Sequence, residues 1–172
     1  AEAARELDLL RATGLNSVRI FLSFEAWEGG SAMMTHVAEY LKLCADRDVR
    51  VLPVLFDDCS HGGYQPHLDG YPDPEPRFHN GLWVPSPAHA VVRHPGAMPR
   101  LERYVKTVGE TLAAHPAVFA LDTYNEPGNA GMGSDSIPLL VATHDWLREI
   151  GIEKPLTTAP YAPHDMAHHW RL

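Results

Sequence analysis

Cysteine and basic charge are both scarce in this sequence. Its 172 residues include only two cysteines, Cys44 and Cys59, which are too few and too widely spaced for a disulfide framework or a zinc motif. The 14 lysines and arginines are outnumbered by 22 aspartates and glutamates, and the formal net charge is -8. Nucleic-acid binding needs a clustered basic surface, so the sequence predicts no nucleic-acid partner.

Long apolar runs and phosphate-binding loops are also missing. No stretch approaches the roughly 20 apolar residues of a membrane span, so we expect no membrane insertion. No signal peptide precedes the first helical pattern and residue 1 is alanine, so the location stays unknown, with secretion or a bacterial periplasm among the options. The nearest glycine-rich stretch, GNAGMG at 128–133, follows an acid rather than opening a turn, and it is predicted to be a flexible loop.

Apolar residues make up 45% of the chain, enough for a core, and their spacing alternates between helical and strand periods. Cys44 falls on the apolar face of one helical pattern and is predicted to be a core residue. Strands are predicted over 16–23, 49–56, 117–124 and 156–159. Helices are predicted over 3–13, from a cap at Ser31 to about 47, from Pro99 onward, and from a cap at Ser136 to 150.

Each step from one strand to the next contains a helix, which is typical of right-handed βαβ units in a parallel sheet. The fold class is therefore α/β, with two candidate architectures: a partial (β/α)8 TIM barrel of about four strands, or an open doubly wound sheet. We treat 1–172 as a single (β/α) domain of catalytic type that is incomplete at both ends. Pro53 counts against a central position for the second strand, because proline has no N–H to donate.

The segment 57–98 is predicted to be a long loop, rich in proline, glycine, histidine and aromatic residues. A loop of this size in a compact domain usually has a function. It follows a strand end, so we expect it to lie on the rim of the sheet and to form one wall of a cleft. Its aromatic residues are Tyr64, Tyr71, Phe78 and Trp83.

In parallel α/β folds, functional side chains collect at the carboxyl ends of the strands. Here those ends carry acids, one arginine and aromatic residues. Acids can do acid–base work and flat aromatic faces can stack on sugar rings, so the set indicates carbohydrate chemistry. The residues are Arg19, Glu25, Trp27, Glu28, Asp57, Asp58, Cys59, Asn125, Glu126 and Tyr161.

One strand ends in Asn125–Glu126–Pro127, and an earlier one reads GLNSVRIFLS with Arg19 inside it. The stretches VLPVLFDDCS and HNGLWVPSP lie between these two. In their order along the chain and their spacing, the four stretches resemble the retaining (β/α)8 glycoside hydrolases of family 5, which include cellulase-like and mannanase-like enzymes. The resemblance runs from the first helix to the last predicted strand. It implies that the chain holds barrel strands two to five.

The resemblance also implies roles for particular residues. Glu126 would be the general acid/base, Asn125 would bind the sugar 2-hydroxyl, and Arg19 would support the catalytic carboxylates. The expected substrate contacts are Trp27, Asp58, Trp83 and Tyr161. Three of them have a structural alternative: the two tryptophans could anchor loops, and Asp58 could simply end its strand.

A retaining glycosidase needs a second carboxylate about 5 Å from the first. The resemblance places this nucleophile on the seventh barrel strand, beyond Leu172, so we expect it to lie outside this chain. Glu25, Asp57 or Asp58 could substitute in principle, without support from the resemblance. Four strands would leave both edges of the sheet open, and we hypothesise that another copy or a missing segment completes the barrel.

The sequence therefore predicts a glycosidase of the endo-β-1,4-glycanase or cellulase-like kind. It would act on O-glycosidic bonds of a β-linked polysaccharide or oligosaccharide, with no cofactor and no metal. The alternatives are a non-catalytic carbohydrate-binding barrel fragment, and a purely structural half-barrel. A further alternative is a metal-dependent hydrolase using Asp57 or Asp58 with histidines such as His164, His168 and His169.

Overall fold

Four parallel strands form one sheet whose spatial order follows the chain. The structure is a computed structural model that describes residues 2–30, 32–66, 73, 76–78 and 81–161. The strands are β1 (Ser17–Phe21), β2 (Arg50–Val54), β3 (Leu121–Asn125) and β4 (Leu156–Ala159). The predicted α/β fold with four parallel strands is confirmed.

The helices are α1 (Glu2–Ala12), α2 (Phe24–Glu28), α3 (Ala32–Ala45), α4 (His89–Val92), α5 (Met98–Ala114) and α6 (Ile137–Glu149), with 3₁₀ turns at Pro95–Ala97 and Gly133–Ser136. The four long helices lie where the sequence predicts them. The two short ones, α2 and α4, are not predicted, because one turn is too short to show a helical period. Several predictions fall on residues outside the described part of the chain: Ser31, Tyr71, His164, His168 and His169.

The core lies between one face of the sheet and the helices. The apolar residues of α5 that recur every three or four positions are buried, as the pattern predicts, and Cys44 of α3 is fully buried beside them. Tyr104 of α5 keeps its hydroxyl satisfied in this core by donating to the carbonyl of Leu55 at 3.1 Å. The buried α5 residues are Leu101, Tyr104, Val105, Val108, Gly109 and Leu112.

The opposite face of the sheet carries charge. Arg19 pairs in register with Leu52, and Val54, two residues further along β2, pairs with Asp122. Residues paired in register, or two apart on one strand, share a face of the sheet. Arg19 of β1 and Asp122 of β3 therefore lie on the same face, the one that the helices do not cover.

Pro53 is accommodated by a bulge in the neighbouring strand segment. Val51 pairs with Val118 and Val54 pairs with Asp122, so an advance of three residues along β2 is matched by an advance of four residues along the neighbouring segment. The extra residue lies opposite Pro53, where the missing N–H would break the ladder in any case. The bulge also explains why β3 begins at Leu121 although the predicted strand began at 117.

The sheet ends at β1 on one side and β4 on the other, and it does not close within the described residues. A groove of about 630 Å³ runs beside β1 and has a mainly apolar lining. None of the described helices is long and apolar enough to cross a bilayer.

Candidate active site

Glu126 follows directly after the last residue of β3, and its backbone is held on the adjacent strand. Its N–H donates to the carbonyl of Ala159 in β4 at 2.7 Å. Its φ angle is 47°, a left-handed conformation that non-glycine residues adopt at a cost. The residue therefore leaves the strand direction abruptly and brings its carboxylate to the rim. Such strain concentrates at functional sites.

Two side chains donate to the Glu126 carboxylate, and both bind to the same oxygen. Asn129 Nδ2 donates to Oε2 at 2.7 Å, and the Cys59 thiol donates to Oε2 at 3.1 Å. Asn129 lies three residues beyond Glu126 on the turn that follows β3, whereas Cys59 comes from the segment after β2. The Glu126 side chain is only partly buried, so the carboxylate can reach a ligand on the rim.

Asn125, the last residue of β3, has its amide orientation fixed by two charged partners. Arg19 Nη2 donates to its Oδ1 at 2.8 Å, and its Nδ2 donates to Asp57 Oδ1 at 2.7 Å. A cation on one side and a carboxylate on the other leave one consistent assignment of amide oxygen and nitrogen. The second Nδ2 contact is weaker, to Cys59 Sγ at 3.3 Å.

Arg19 reaches the site through Asn125 and through a buried carboxylate on β3. Its Nε and Nη2 donate to Asp122 Oδ2 at 3.0 and 2.5 Å. Burial raises the pKa of Asp122, and the Arg19 guanidinium opposes that shift. The other oxygen, Oδ1, is buried and has no hydrogen-bond partner among the described residues. Arg19 thus compensates a carboxylate that the sheet would otherwise leave without a counter-ion.

Asp57 connects Asn125 to the indole of Trp83. Its Oδ1 also accepts from the Cys59 N–H at 2.9 Å, and its Oδ2 accepts from Trp83 Nε1 at 2.5 Å. Burial raises the pKa of this carboxyl, and the hydrogen bonds from Asn125, Cys59 and Trp83 oppose that rise. The segment carrying Trp83 is brought here by a two-way backbone bridge between Asp57 and Ser86, at 2.8 and 2.9 Å.

Asp58 is fully buried and organises the turn beneath Glu126. The sequence places it among substrate contacts, whereas its carboxylate accepts from Tyr124 Oη and from the Gly128 N–H, both at 2.7 Å, and from Ser136 Oγ. Burial raises its pKa, and these donors oppose that shift. The side chain therefore ties the end of β2 to the turn after Glu126 and to the start of α6. A side chain with no exposed surface cannot touch a bound sugar.

The two predicted tryptophans have different surroundings. Trp27 on α2 packs on Tyr104 and Phe24, with ring centroids 5.4 and 6.2 Å apart, so it anchors α2 to the core. Trp83, besides its bond to Asp57, makes an edge-to-face contact with Phe21, whose ring is 40% exposed on β1. Tyr161, just past β4, is 54% exposed.

Glu25 does not supply a free second carboxylate. Its Oε2 accepts from Ser86 Oγ at 2.9 Å and its Oε1 from the Ala88 N–H at 2.8 Å. It therefore fastens the segment after Trp83 to α2. No group of three or more histidine, cysteine, aspartate or glutamate side chains that could hold a metal ion occurs in the part of the chain that the structure describes.

Three side chains of the site are assigned no role by the sequence. Asp122 could have been noticed, because it is the one charge inside the apolar run AVFALDTY. Asn129 stands three residues after Glu126, but in a stretch predicted to be a flexible loop. Cys59 lies on the expected rim, yet nothing in the sequence indicates that its thiol would contact Glu126 from the segment after β2.

No protein-family model matches the chain, and no curated protein sequence matches it either. Solved structures do. An exo-β-1,4-mannosidase from Opitutaceae bacterium strain TAV5 matches with a TM-score of 0.65 and 22% identity over 92% of this chain. A β-1,4-D-mannanase from Cryptopygus antarcticus matches with 0.61 and 10% over 91%, and an endo-1,4-β-mannanase from Eisenia fetida with 0.57 and 13% over 92%.

This chain spans 28%, 49% and 50% of those three proteins. At these identities the likeness establishes the fold. The chain therefore has the fold of part of a (β/α)8 barrel, the fold that these solved structures share, rather than that of an open doubly wound sheet.

Proposed function

We propose that this chain carries the acid/base side of a glycoside hydrolase that cleaves O-glycosidic bonds in β-linked oligosaccharides or polysaccharides. The observation that carries the proposal is the position of Glu126. It is a partly exposed carboxylate at the carboxyl end of β3, next to an Asn125 whose amide is fixed by Arg19 and Asp57. Carboxylates at the strand ends of such barrels are where catalysis takes place.

In the proposed reaction, Glu126 first donates a proton to the glycosidic oxygen as the bond from that oxygen to the anomeric carbon breaks and a second carboxylate bonds to that carbon. Glu126 then removes a proton from a water molecule, whose oxygen bonds to the anomeric carbon as the second carboxylate leaves. The donors from Asn129 and Cys59 are uncharged, and they fix the orientation of the carboxylate by binding one of its oxygens.

Asn125 is proposed to bind the 2-hydroxyl of the sugar. One of its two Nδ2 protons is held firmly by Asp57 at 2.7 Å, while the other makes only a weak contact with the Cys59 sulfur at 3.3 Å. Sulfur is a weak acceptor, so of the two Nδ2 protons this is the one that we propose donates to the sugar hydroxyl. Arg19 fixes the amide oxygen throughout, which makes Asn125 a rigid donor.

A retaining outcome requires a nucleophile that this chain does not contribute in the proposed mechanism. Asp58, Asp122 and Glu25 are each engaged in holding the fold, and Asp57 holds Asn125 and Trp83. Releasing any of them would leave buried donors without acceptors. We therefore propose that the second carboxylate comes from outside these 172 residues.

The substrate class we propose first is a β-1,4-linked mannoside, because the solved structures with this fold include mannosidases and mannanases. Trp83 and Phe21 offer adjacent aromatic surface beside Asn125, and Tyr161 offers an exposed ring after β4. Aromatic faces bind the apolar faces of sugar rings. Preferential binding of a glucan or a xylan oligosaccharide is the other result that the test can give.

The test measures binding and cleavage of β-1,4-linked mannan, glucan and xylan oligosaccharides by the whole chain, with azide added as an external nucleophile. We expect binding in the wild type and in Glu126→Gln, and cleavage that falls about 100-fold or more in Glu126→Gln. Glu110→Gln, at an exposed position on α5, is the matched control and should behave as wild type. Equal cleavage by Glu126→Gln, or no binding of any sugar, would overturn the proposal.

A further inference from the structure

The thiol of Cys59 lies among three polar side chains of the site. Its sulfur accepts from Asn125 Nδ2 and from Asn129 Nδ2, both at 3.3 Å, and the thiol donates to Glu126 Oε2 at 3.1 Å. The residue is 8% exposed, so these contacts largely surround it. The other cysteine, Cys44, is in the core between helices and sheet.

The hydrogen-bond roles around the sulfur are determined by its neighbours. Both asparagine nitrogens are donors, so the sulfur must be the acceptor in those two contacts. The thiol has one proton, and the Glu126 carboxylate oxygen is the acceptor that lies within reach. Burial, followed by the charge of Asp57 and the bond to Glu126, holds the pKa of this thiol well above its ordinary value. The thiol therefore stays protonated and acts as a donor.

From this geometry we propose that Cys59 is a positioning residue for Glu126. It would act together with Asn129 to hold the carboxylate by Oε2 and leave Oε1 to exchange the proton with the glycosidic oxygen. The inference rests on the proposed function, because it assigns a task within that reaction. It also extends it, since it specifies which carboxylate oxygen carries the proton and which side chains determine that choice.

The two donors, Asn129 and Cys59, hold the Glu126 carboxylate from different parts of the chain. Asn129 bonds Oε2 at 2.7 Å and comes from the same turn as Glu126, so the two move together. Cys59 comes from the segment after β2, whose Asp57 binds Asn125. The thiol therefore ties Glu126 to the segment after β2, which also holds the Asn125 amide through Asp57. The other charged groups in this network are Asp57, whose charge acts on the Cys59 thiol, and Arg19, which binds Asn125.

The experiment follows the titration of the Glu126 carboxyl by carbon NMR in the whole chain, without substrate. Removing a donor to the ionised form raises a carboxyl pKa, so Cys59→Ala should shift the Glu126 midpoint upward by about half a unit to one unit. Cys59→Ser retains a donor and should leave the midpoint at or below the wild-type value. Cys44→Ala removes the other thiol and should leave it unchanged.

A reciprocal measurement covers the case in which Cys59→Ala does not fold. Glu126→Gln removes one of the negative charges that raise the thiol pKa, so alkylation of Cys59 by iodoacetamide at pH 8 should speed up several-fold, while the buried Cys44 should stay unmodified as long as the chain is folded. Unchanged Glu126 titration in Cys59→Ala, or unchanged alkylation of Cys59 in Glu126→Gln, would overturn the proposal.

The same variants separate this inference from the proposed function. If the chain cleaves glycosides, Cys59→Ala should move the alkaline limb of kcat/KM upward by the shift seen in the titration, and Cys59→Ser should restore it. A titration shift in a chain that neither binds nor cleaves sugars would contradict the proposed function alone. Cleavage that depends on Glu126, with a pH profile identical in all three proteins, would contradict the positioning role alone.

Discussion

Arg19 on β1 donates a hydrogen bond to Asn125 on β3 at 2.8 Å, although strand β2 lies between the two strands. Neighbouring strands lie about 4.8 Å apart, so the side chain spans roughly twice that distance. The same guanidinium bonds Asp122 through two nitrogens. A long, planar side chain with several fixed donors can make all three hydrogen bonds at once, in a geometry that the single ammonium group of lysine does not reproduce.

Replacing Arg19 with methionine should therefore destabilise the fold as well as loosen the site. Asp122 would stay buried without its counter-ion, and we expect the free energy of unfolding to fall by about 2–3 kcal/mol. Chemical denaturation measures the loss.

The control is the double variant Arg19→Met/Asp122→Leu, in which neither charge is buried. Replacing a buried pair by apolar residues is often neutral, so most of the lost stability should return, while sugar binding through Asn125 should stay weak. A double variant that is less stable than Arg19→Met would contradict the assignment of Asp122 as the destabilised partner.

Stability should decrease as the pH rises from mildly acidic to neutral. Burial raises the folded-state pKa of Asp57, Asp58 and Asp122 above the ordinary value of about 4. Between that value and the raised one, the folded state binds more protons than the unfolded state, so the free energy of unfolding falls with increasing pH.

The Asp122→Asn variant isolates one of the three groups. It lacks one titrating carboxyl, so its stability should vary less steeply than that of the wild type across this window, by up to about 1.4 kcal/mol per pH unit. Denaturant melts between pH 4 and pH 8 give both slopes. Parallel slopes would mean that Asp122 has the same pKa in both states.

The left-handed backbone at Glu126 gives a prediction that is independent of catalysis. Glu126→Ala and Glu126→Gly both lose the side-chain bonds, but only glycine adopts a φ of 47° without strain. Glu126→Gly should be more stable than Glu126→Ala by about 0.5–1 kcal/mol. At Glu110, in the interior of α5, the order should reverse, with glycine about 1 kcal/mol less stable than alanine. The same order at both positions would contradict the strain at Glu126.

Trp83 and Trp27 should respond differently to substitution. Trp83→Leu removes both the aromatic face beside Phe21 and the donor to Asp57, so we expect binding of a mannan oligosaccharide to weaken about 10-fold and the ligand-induced change in tryptophan fluorescence to shrink. Trp27→Leu should lower the melting temperature while leaving the affinity as in wild type, because this ring packs on Tyr104. Weaker binding in Trp27→Leu but not in Trp83→Leu would mean that Trp27, and not Trp83, contacts the sugar.

Much of the fold could be predicted from local sequence signals. The long helices and the last strand have clear periods and ends: Gly14 and Gly151, for example, adopt the positive φ expected of glycines that follow a helix. The start of β3 could not be predicted, because the bulge opposite Pro53 depends on the pairing of two segments more than 60 residues apart in sequence.

The position of a side chain on the rim was predictable where the residue stands at the end of its own strand, as with Asn125 and Glu126, whose roles stay predictions. It was not predictable where the role depends on distant partners. Asp58 and Asp57 are adjacent and chemically identical, yet one is buried under the turn after Glu126 and the other binds Asn125 and Trp83. Successive residues point to opposite sides of a strand, and only the packing decides which side faces the site.

The central claim, that Glu126 shares its proton with the glycosidic oxygen, is tested most directly with a mannose-configured imidazole. The ring nitrogen of such a compound occupies the position of that oxygen, and its binding needs no nucleophile. Calorimetry should show binding to the wild-type chain and affinity lower by about 10- to 100-fold in Glu126→Gln, which is the loss of a charge-assisted hydrogen bond. Equal affinity in the two proteins would contradict the account.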